Sequence, residues 1–169
     1  MEKDLLDKLP PDIKKEFMKY AIKLGEKKKQ TKVHDDFLSF VKHVWPEFIE
    51  GKHHKKIADK FNKLAKGEIK RLIINMPPRH TKSEFGSFLL PAWMVGRRPN
   101  LKIIQSTHTT ELAIRFGRKA KTLMDSPEYK EIFKTRLRED SQAAGKWETE
   151  QGGEYYAAGV GSAITGRGA

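Results

Sequence analysis

The stretch LIINMPPRHTKSEF, residues 72–85, decides how this sequence is interpreted. A short β-branched run leads into a Pro-Pro turn, and Lys82 and Ser83 then open a segment with helical spacing. A phosphate-binding loop has the same order of strand, turn and helix, because N–H groups at a helix start converge on an anion. The usual pattern is G-x-x-x-x-G-K-[ST]. Here Met76 and Thr81 stand where the two glycines are expected.

Other residues of the loop offer a substitute for the missing glycines. Pro77 and Pro78 could pre-set the turn, and Arg79 adds a cation three residues before the lysine. Charge-assisted contacts of this kind contribute on the order of 1.5–3 kcal/mol each. The alternative is a Pro-rich connection with incidental basic residues, in which His80 is merely polar. Residues 76–83 alone do not decide between the two.

Composition points to a polyanionic partner. The 169 residues suit one domain, and 34 Lys and Arg against 22 Asp and Glu give a net charge of +12. Such a balance indicates nucleic acid, although a Lys-rich solubilising surface is the alternative. The sequence has no cysteine, which excludes disulfides and thiolate metal sites. No apolar run approaches the roughly 20 residues of a membrane span, and the N-terminus lacks a signal-peptide core, so we expect a soluble intracellular protein.

The first part of the chain is predicted to be helical. Residues 11–29 carry an apolar stripe at helical spacing, and a second and a third helix follow, the third at about 53–66. The Lys27–Lys32 region looks like a solvated hinge. We therefore expect a basic helical arm over residues 1–35 and a helical lead-in over residues 36–68, with the aromatic side chains in the core.

The character of the sequence changes at residue 69. Residues 69–75 are predicted to form a buried strand, a helix follows the loop, and residues 101–108 form a second strand before another helix. This order implies a parallel sheet with right-handed crossovers, which is an α/β domain. Residues 146–160 are predicted to form a hairpin, with Gly152–Gly153 supplying the positive φ angles of a tight turn.

Three stretches taken together resemble the ATPase domain of the large terminase subunit of tailed phages. They are RLIINMPPRHTKSEFGS (71–87), LKIIQSTHTTELAIRFGRKAKTLMDS (101–126) and GGEYYAAGVGSAITGRGA (152–169). The resemblance covers roughly residues 36–169. It implies a P-loop NTPase-type, mostly parallel sheet with flanking helices, preceded by a helical N-terminal segment, with residues 69–169 forming an incomplete N-terminal part of that core.

The resemblance also implies a function and the residues that carry it. Terminases have a deviant phosphate loop with an arginine inside it, and they package double-stranded DNA at the expense of ATP with Mg²⁺. By this resemblance Lys82 contacts the β- and γ-phosphates, Ser83 helps to hold Mg²⁺, and Arg79 senses or stabilises the γ-phosphate. Arg167 could reach a neighbouring subunit's nucleotide. The expected nucleotide-binding set is Pro78, Arg79, His80, Thr81, Lys82, Ser83 and His54, and the adenine is expected near His53 or His54.

Terminases continue with an apolar strand that ends in two acidic residues, and this chain stops at Ala169, before such a strand. We therefore expect an N-terminal fragment, truncated before the Walker B strand, with little or no hydrolysis alone. The nuclease domain of a parent endonuclease would also be absent. The implied partners are double-stranded DNA, the portal protein, the small terminase subunit and further copies in a ring on the procapsid, in the host cytoplasm and without a membrane.

DNA contacts should go mainly to phosphates, because a packaging motor grips DNA without reading its sequence. The candidate DNA contacts are Arg97, Arg98, Arg115, Arg118 and Lys119. Each of them is equally compatible with a plain solvated surface. Two other functions stay open. One is a helicase-like P-loop ATPase acting on nucleic acid, and the other is a non-catalytic basic module that binds nucleic acid.

Overall fold

The computed structural model of the chain describes residues 10–162 and residue 164, and one four-stranded sheet organises the second half of them. The strands are β1 (Lys102–Thr107), β2 (Leu137–Ala143), β3 (Lys146–Thr149) and β4 (Glu154–Gly159). Their order in the sheet is β1-β4-β3-β2. Only β1 and β4 are parallel, whereas β4–β3 and β3–β2 are antiparallel. The mixed α/β class is confirmed, but the prediction of a mostly parallel sheet is wrong.

Two tight connections explain this topology. The predicted hairpin is confirmed, since β3 and β4 pair antiparallel. Gly152 has φ +83°, the left-handed conformation that a tight turn needs. Gly153 has a different role from the predicted one: a Cβ there would lie 2.3 Å from the carbonyl oxygen of Pro99. A short turn also joins the polar strand β2 to β3, so both connections return the chain antiparallel.

Helices surround this sheet and precede it. They are α1 (Pro11–Asp35), α2 (Phe37–Val44), α3 (Lys52–Lys66), a π-helical turn (Glu84–Leu89), α4 (Leu90–Arg97), α5 (Thr110–Asp125) and α6 (Pro127–Ile132). Side chains cap three of them. Asp36 accepts from the N–H of Ser39 at the start of α2, and Thr109 and Ser126 do the same for α5 and α6.

The first helix is longer than its sequence suggested. The hinge predicted at Lys27–Lys32 is wrong, because α1 runs through it without a break. Lysine is a strong helix former, so a Lys-rich run continues a helix readily. The apolar stripe is exposed, with 48% of Phe17 accessible, and Val33 is the buried residue of α1. No helix in the part of the chain that the structure describes is long and apolar enough to cross a membrane.

Residues 69–75 do not form the predicted strand. They have no regular secondary structure, with Leu72 and Ile74 packed against the core and Ile73 86% exposed. This alternation is the period-2 pattern of a half-buried strand. However, no backbone hydrogen bond joins them to the sheet within residues 10–162. A segment becomes a strand only when it pairs, so the prediction of a buried strand is wrong, although the burial alternates as it does along one.

Aromatic side chains connect the lead-in helices to the segment that follows the loop. Phe37 is fully buried and makes edge-on contacts with Phe61, Phe85 and Trp93 at ring-centroid distances of 5.0, 5.4 and 5.4 Å. Such pairs add roughly 0.5–1.5 kcal/mol each beyond the burial of their area. The prediction that the aromatics of the N-terminal helices belong to the core is confirmed for Phe37, Phe40 and Phe61 and wrong for Phe17 and Tyr20, which are exposed on α1. Phe85 is thereby held in place three residues after Lys82.

Candidate phosphate-binding site

The loop after residues 69–75 has an unusual backbone. Arg79 and Thr81 have φ angles of +63° and +60°, and they are the non-glycine residues with positive φ in the described part of the chain. Left-handed backbone is unfavourable for any residue with a Cβ, and most of all for a β-branched one such as threonine. Strain of this type costs about 1–3 kcal/mol per residue and persists only where the surroundings enforce it. Thr81 takes the place of the second pattern glycine, and it adopts a conformation that glycine would take freely.

Hydrogen bonds hold Thr81 in this conformation. Its hydroxyl lies 2.7 Å from Nε2 of His54 and donates to the carbonyl of His80 at 2.6 Å. Its own carbonyl accepts from the N–H of Phe85 at 2.9 Å, which is the first bond of the helical segment. Both the side chain and the backbone of Thr81 are therefore restrained.

His54 lies beneath the loop and is 5% exposed. It is the third residue of α3, and its Nδ1 accepts from the N–H of Gly51 at 2.8 Å. Since Nδ1 accepts, the neutral ring carries its proton on Nε2, and this N–H donates a hydrogen bond to the hydroxyl of Thr81. Burial lowers the pKa of His54 and the neighbouring His53 lowers it further, so the neutral form is favoured. Both ring nitrogens are engaged within the protein, and the adenine contact expected at His54 stays a prediction.

The groups expected to meet phosphate are not part of this support. Arg79, Lys82 and Ser83 are exposed, and within the described residues none of the three has a hydrogen-bond or ion-pair partner. Lys82 and Ser83 open the helical segment, as predicted. The donor set fits a polyphosphate, because two cations and one hydroxyl are free at a helix start and no carboxylate competes for them.

The other loop residues close the turn on itself. His80 is exposed, and its Nδ1–H donates to the carbonyl of Pro78 at 2.8 Å. Its ring lies 5.8 Å from that of His53, centroid to centroid. The His80 side chain is thus bonded within the loop, and its expected contact with nucleotide stays a prediction.

The nearest acidic residue on the helical segment is neutralised. Both carboxylate oxygens of Glu84 accept from Nζ of Lys119, at 2.8 and 2.6 Å. Lys119 also lies 4.9 Å from the ring centroid of Phe88. Glu84 therefore adds little negative potential beside Lys82, and Lys119, a predicted DNA contact, is engaged within the fold.

The remaining predicted DNA contacts divide into two groups. Arg97 stacks on Trp93 at 4.8 Å and lies 3.8 Å from Asp35. Arg98 donates to the carbonyl of Ala65 at 2.8 Å, at the end of α3. By contrast, the two arginines on α5 are exposed: Arg115 and Arg118. Arg167 lies outside the described residues.

Sequence reasoning missed the support beneath the loop. The spacing Gly51-x-x-His54 at the start of a helix resembles a capping box, in which the third helical residue bonds back to the N-cap N–H. A β-branched residue where a glycine is expected is the other signal, since it requires a partner to hold it. Together these two signals could have linked His54 to Thr81.

Comparison of the chain with protein-family models, with curated proteins and with solved structures found no match. Among the described residues, no group of three or more His, Cys, Asp or Glu side chains is placed to hold a metal ion.

Proposed function

We propose that residues 78–83 bind the phosphates of ATP, and that the protein is the ATP-binding part of a motor that packages double-stranded DNA, like the terminases it resembles. One observation carries the proposal. Thr81 has φ +60° at the position where phosphate loops have glycine, directly before Lys82. An incidental Pro-rich connection has no reason to maintain such strain, whereas strained backbone is concentrated at ligand sites.

Each free group has a distinct role in this proposal. Lys82 contacts the β- and γ-phosphates, and the hydroxyl of Ser83 completes the shell of the Mg²⁺ that ATP carries. Arg79 reaches the γ-phosphate and stabilises the charge that develops there during transfer. Positioning and electrostatics account for nearly all catalysis of phosphoryl transfer, so these roles suit cations on a restrained loop.

The link to DNA rests on one ion pair. Glu84 directly follows Ser83, and it is bound to Lys119 on α5. The exposed Arg115 and Arg118 lie on that same helix. A change in the loop on nucleotide binding would therefore act on the helix that carries the candidate DNA contacts. This arrangement favours a nucleotide-driven DNA motor over a basic module without an ATP site.

The experiment is a comparison of two lysine variants of the full chain. Lys82→Ala should weaken Mg–ATP binding by about tenfold or more in isothermal titration calorimetry, because a charge-assisted contact is lost. Lys29→Ala removes an equally exposed lysine on α1 and should leave the binding constant unchanged. Equal ATP affinity for Lys82→Ala and the wild type would contradict the proposal and favour the non-catalytic basic module.

A further inference from the structure

We propose that neutral His54 is a positioning residue that holds Thr81 in its left-handed conformation and so shapes the loop for phosphate. This inference rests on the proposed function for its ligand, but its geometry is independent of that ligand. The hydrogen bond between Nε2 of His54 and the hydroxyl of Thr81 spans 2.7 Å and joins residues 27 apart in the chain.

The chemical logic starts from the missing glycine. A glycine before the lysine needs no support, because left-handed backbone is open to it. Threonine needs a partner that fixes both its side chain and its backbone. The hydroxyl accepts a hydrogen bond from Nε2–H of His54 and donates one to the carbonyl of His80, so both its acceptor and its donor are satisfied. In this loop the hydrogen bond from His54 stabilises a left-handed backbone that glycine adopts without support in other phosphate loops.

Only one form of the ring can do this. The N–H of Gly51 donates to Nδ1, which is possible only while Nδ1 has its lone pair. A second proton would place two donors against each other at 2.8 Å. Protonation of His54 should therefore break the bond to Gly51 and displace the ring whose Nε2–H donates to Thr81. It follows that the arrangement is stable above the pKa of His54 and weakens below it.

The surroundings of His54 keep the ring neutral. Phe48 and Phe85 pack on it at centroid distances of 4.7 and 5.0 Å, and neither carries charge. Burial lowers its pKa, and so do the neighbouring His53 and His80, whereas Glu50 acts in the opposite direction. Glu50 is itself paired, with Lys42 and Lys55, so its influence on the imidazole is reduced.

A double-mutant cycle tests the proposal. His54→Phe keeps an aromatic ring between Phe48 and Phe85 but removes both hydrogen bonds. Thr81→Gly removes the need for support. In the wild-type background, His54→Phe should weaken Mg–ATP binding by about fivefold or more, which is a coupling of ordinary size for hydrogen-bonded neighbours. In the Thr81→Gly background the same change should cost less than about twofold. An equal cost in both backgrounds would overturn the proposal.

A second readout separates this inference from the proposed function. Urea unfolding of the same four proteins measures the coupling between the two residues without nucleotide. If none of them binds ATP but the unfolding free energies are coupled, the proposed function fails and the positioning role stands. If ATP binds and the coupling is absent, the positioning role fails and the proposed function stands.

A third variant provides the pH signature. His54→Gln retains an N–H donor for Thr81 but does not titrate. The wild type should lose Mg–ATP affinity relative to His54→Gln once the pH falls below the pKa of His54, which burial lowers from its ordinary value of 6.5. His53 and His80 are present in both proteins, so the difference between the two profiles reports on residue 54. Parallel profiles would overturn the proposed dependence on a neutral ring.

Discussion

Nε2 of His54 lies 2.7 Å from the hydroxyl of Thr81, and this contact joins the start of α3 to the loop that precedes Lys82. It connects the helical lead-in to the candidate ATP site. The strained backbone at Thr81 and the buried imidazole explain each other, since neither would be stable in its place without the other.

Removal of the hydroxyl alone should destabilise the protein. Thr81→Val keeps the β-branched shape but leaves the Nε2–H of His54 buried without an acceptor. An unsatisfied buried donor costs about 1–3 kcal/mol, so the free energy of unfolding in urea should fall by that amount. Thr31→Val serves as the control, because the Thr31 hydroxyl bonds on the exposed surface of α1. An equal loss for both variants would contradict the prediction.

The pH dependence of stability should include His54. The pKa of His54 is lowered in the folded state from its ordinary value of 6.5. Between the lowered value and 6.5 the unfolded chain binds more protons than the folded protein, so the free energy of unfolding falls as the pH decreases through this range. The contribution of His54 to the free energy of unfolding should therefore be fully present above about pH 6.5, and it should decrease as the pH falls below that value. Urea titrations from pH 5 to pH 8 measure this, and His54→Gln should show a smaller decrease than the wild type.

The aromatic contacts of Phe85 should be a main source of stability. Phe85 is 1% exposed, whereas Phe17 on α1 is 48% exposed. Phe85→Ala should lower the free energy of unfolding by about 3–5 kcal/mol, because it leaves a cavity between Phe37 and Phe48. Phe17→Ala should change it by less than about 1 kcal/mol. Chemical denaturation of the two variants provides the comparison, and a similar loss for both would show that α1 is packed in solution.

The DNA contacts can be separated from structural arginines by salt dependence. If Arg115 and Arg118 neutralise phosphates, each change to alanine should lower the slope of log K against log salt by about 0.9. Arg138 is similarly exposed but is paired with Asp140 and Glu148. Arg138→Ala should leave the slope unchanged. Fluorescence anisotropy of a labelled duplex at several salt concentrations measures the slope, and equal slopes for all three variants would argue against an interface on α5.

The hairpin turn offers a test of the sheet. A Cβ at Gly153 would meet the carbonyl of Pro99 at 2.3 Å, but at Gly86 it would meet nothing within 4 Å. Gly153→Ala should therefore destabilise the protein by about 1–3 kcal/mol. Gly86→Ala should be neutral or stabilising by up to about 1 kcal/mol, since it reduces the entropy of the unfolded chain. Thermal unfolding distinguishes the two, and a stable Gly153→Ala protein would contradict this packing.

Local patterns in the sequence were sufficient for much of the fold. The helices α2, α3 and α5, the strand β1 and the β3–β4 hairpin all follow from residue spacing and turn residues. Each of these signals depends on neighbours within a few residues, and for that reason sequence reasoning can detect it. The loop itself was located in the same way, with Lys82 and Ser83 at the start of a helical segment.

Tertiary structure decided what depends on distant partners. Residues 69–75 have a strand-like sequence pattern, yet pairing with another strand is a long-range property that this pattern does not contain. The same reason applies to charge, since Arg97 and Lys119 look like Arg115 in the sequence but are engaged in the fold. His54 is expected near the adenine, and only the structure shows that its two ring nitrogens are bonded to Gly51 and Thr81. Residue type determines which bonds a side chain can make, and only the folded chain determines which of them it makes.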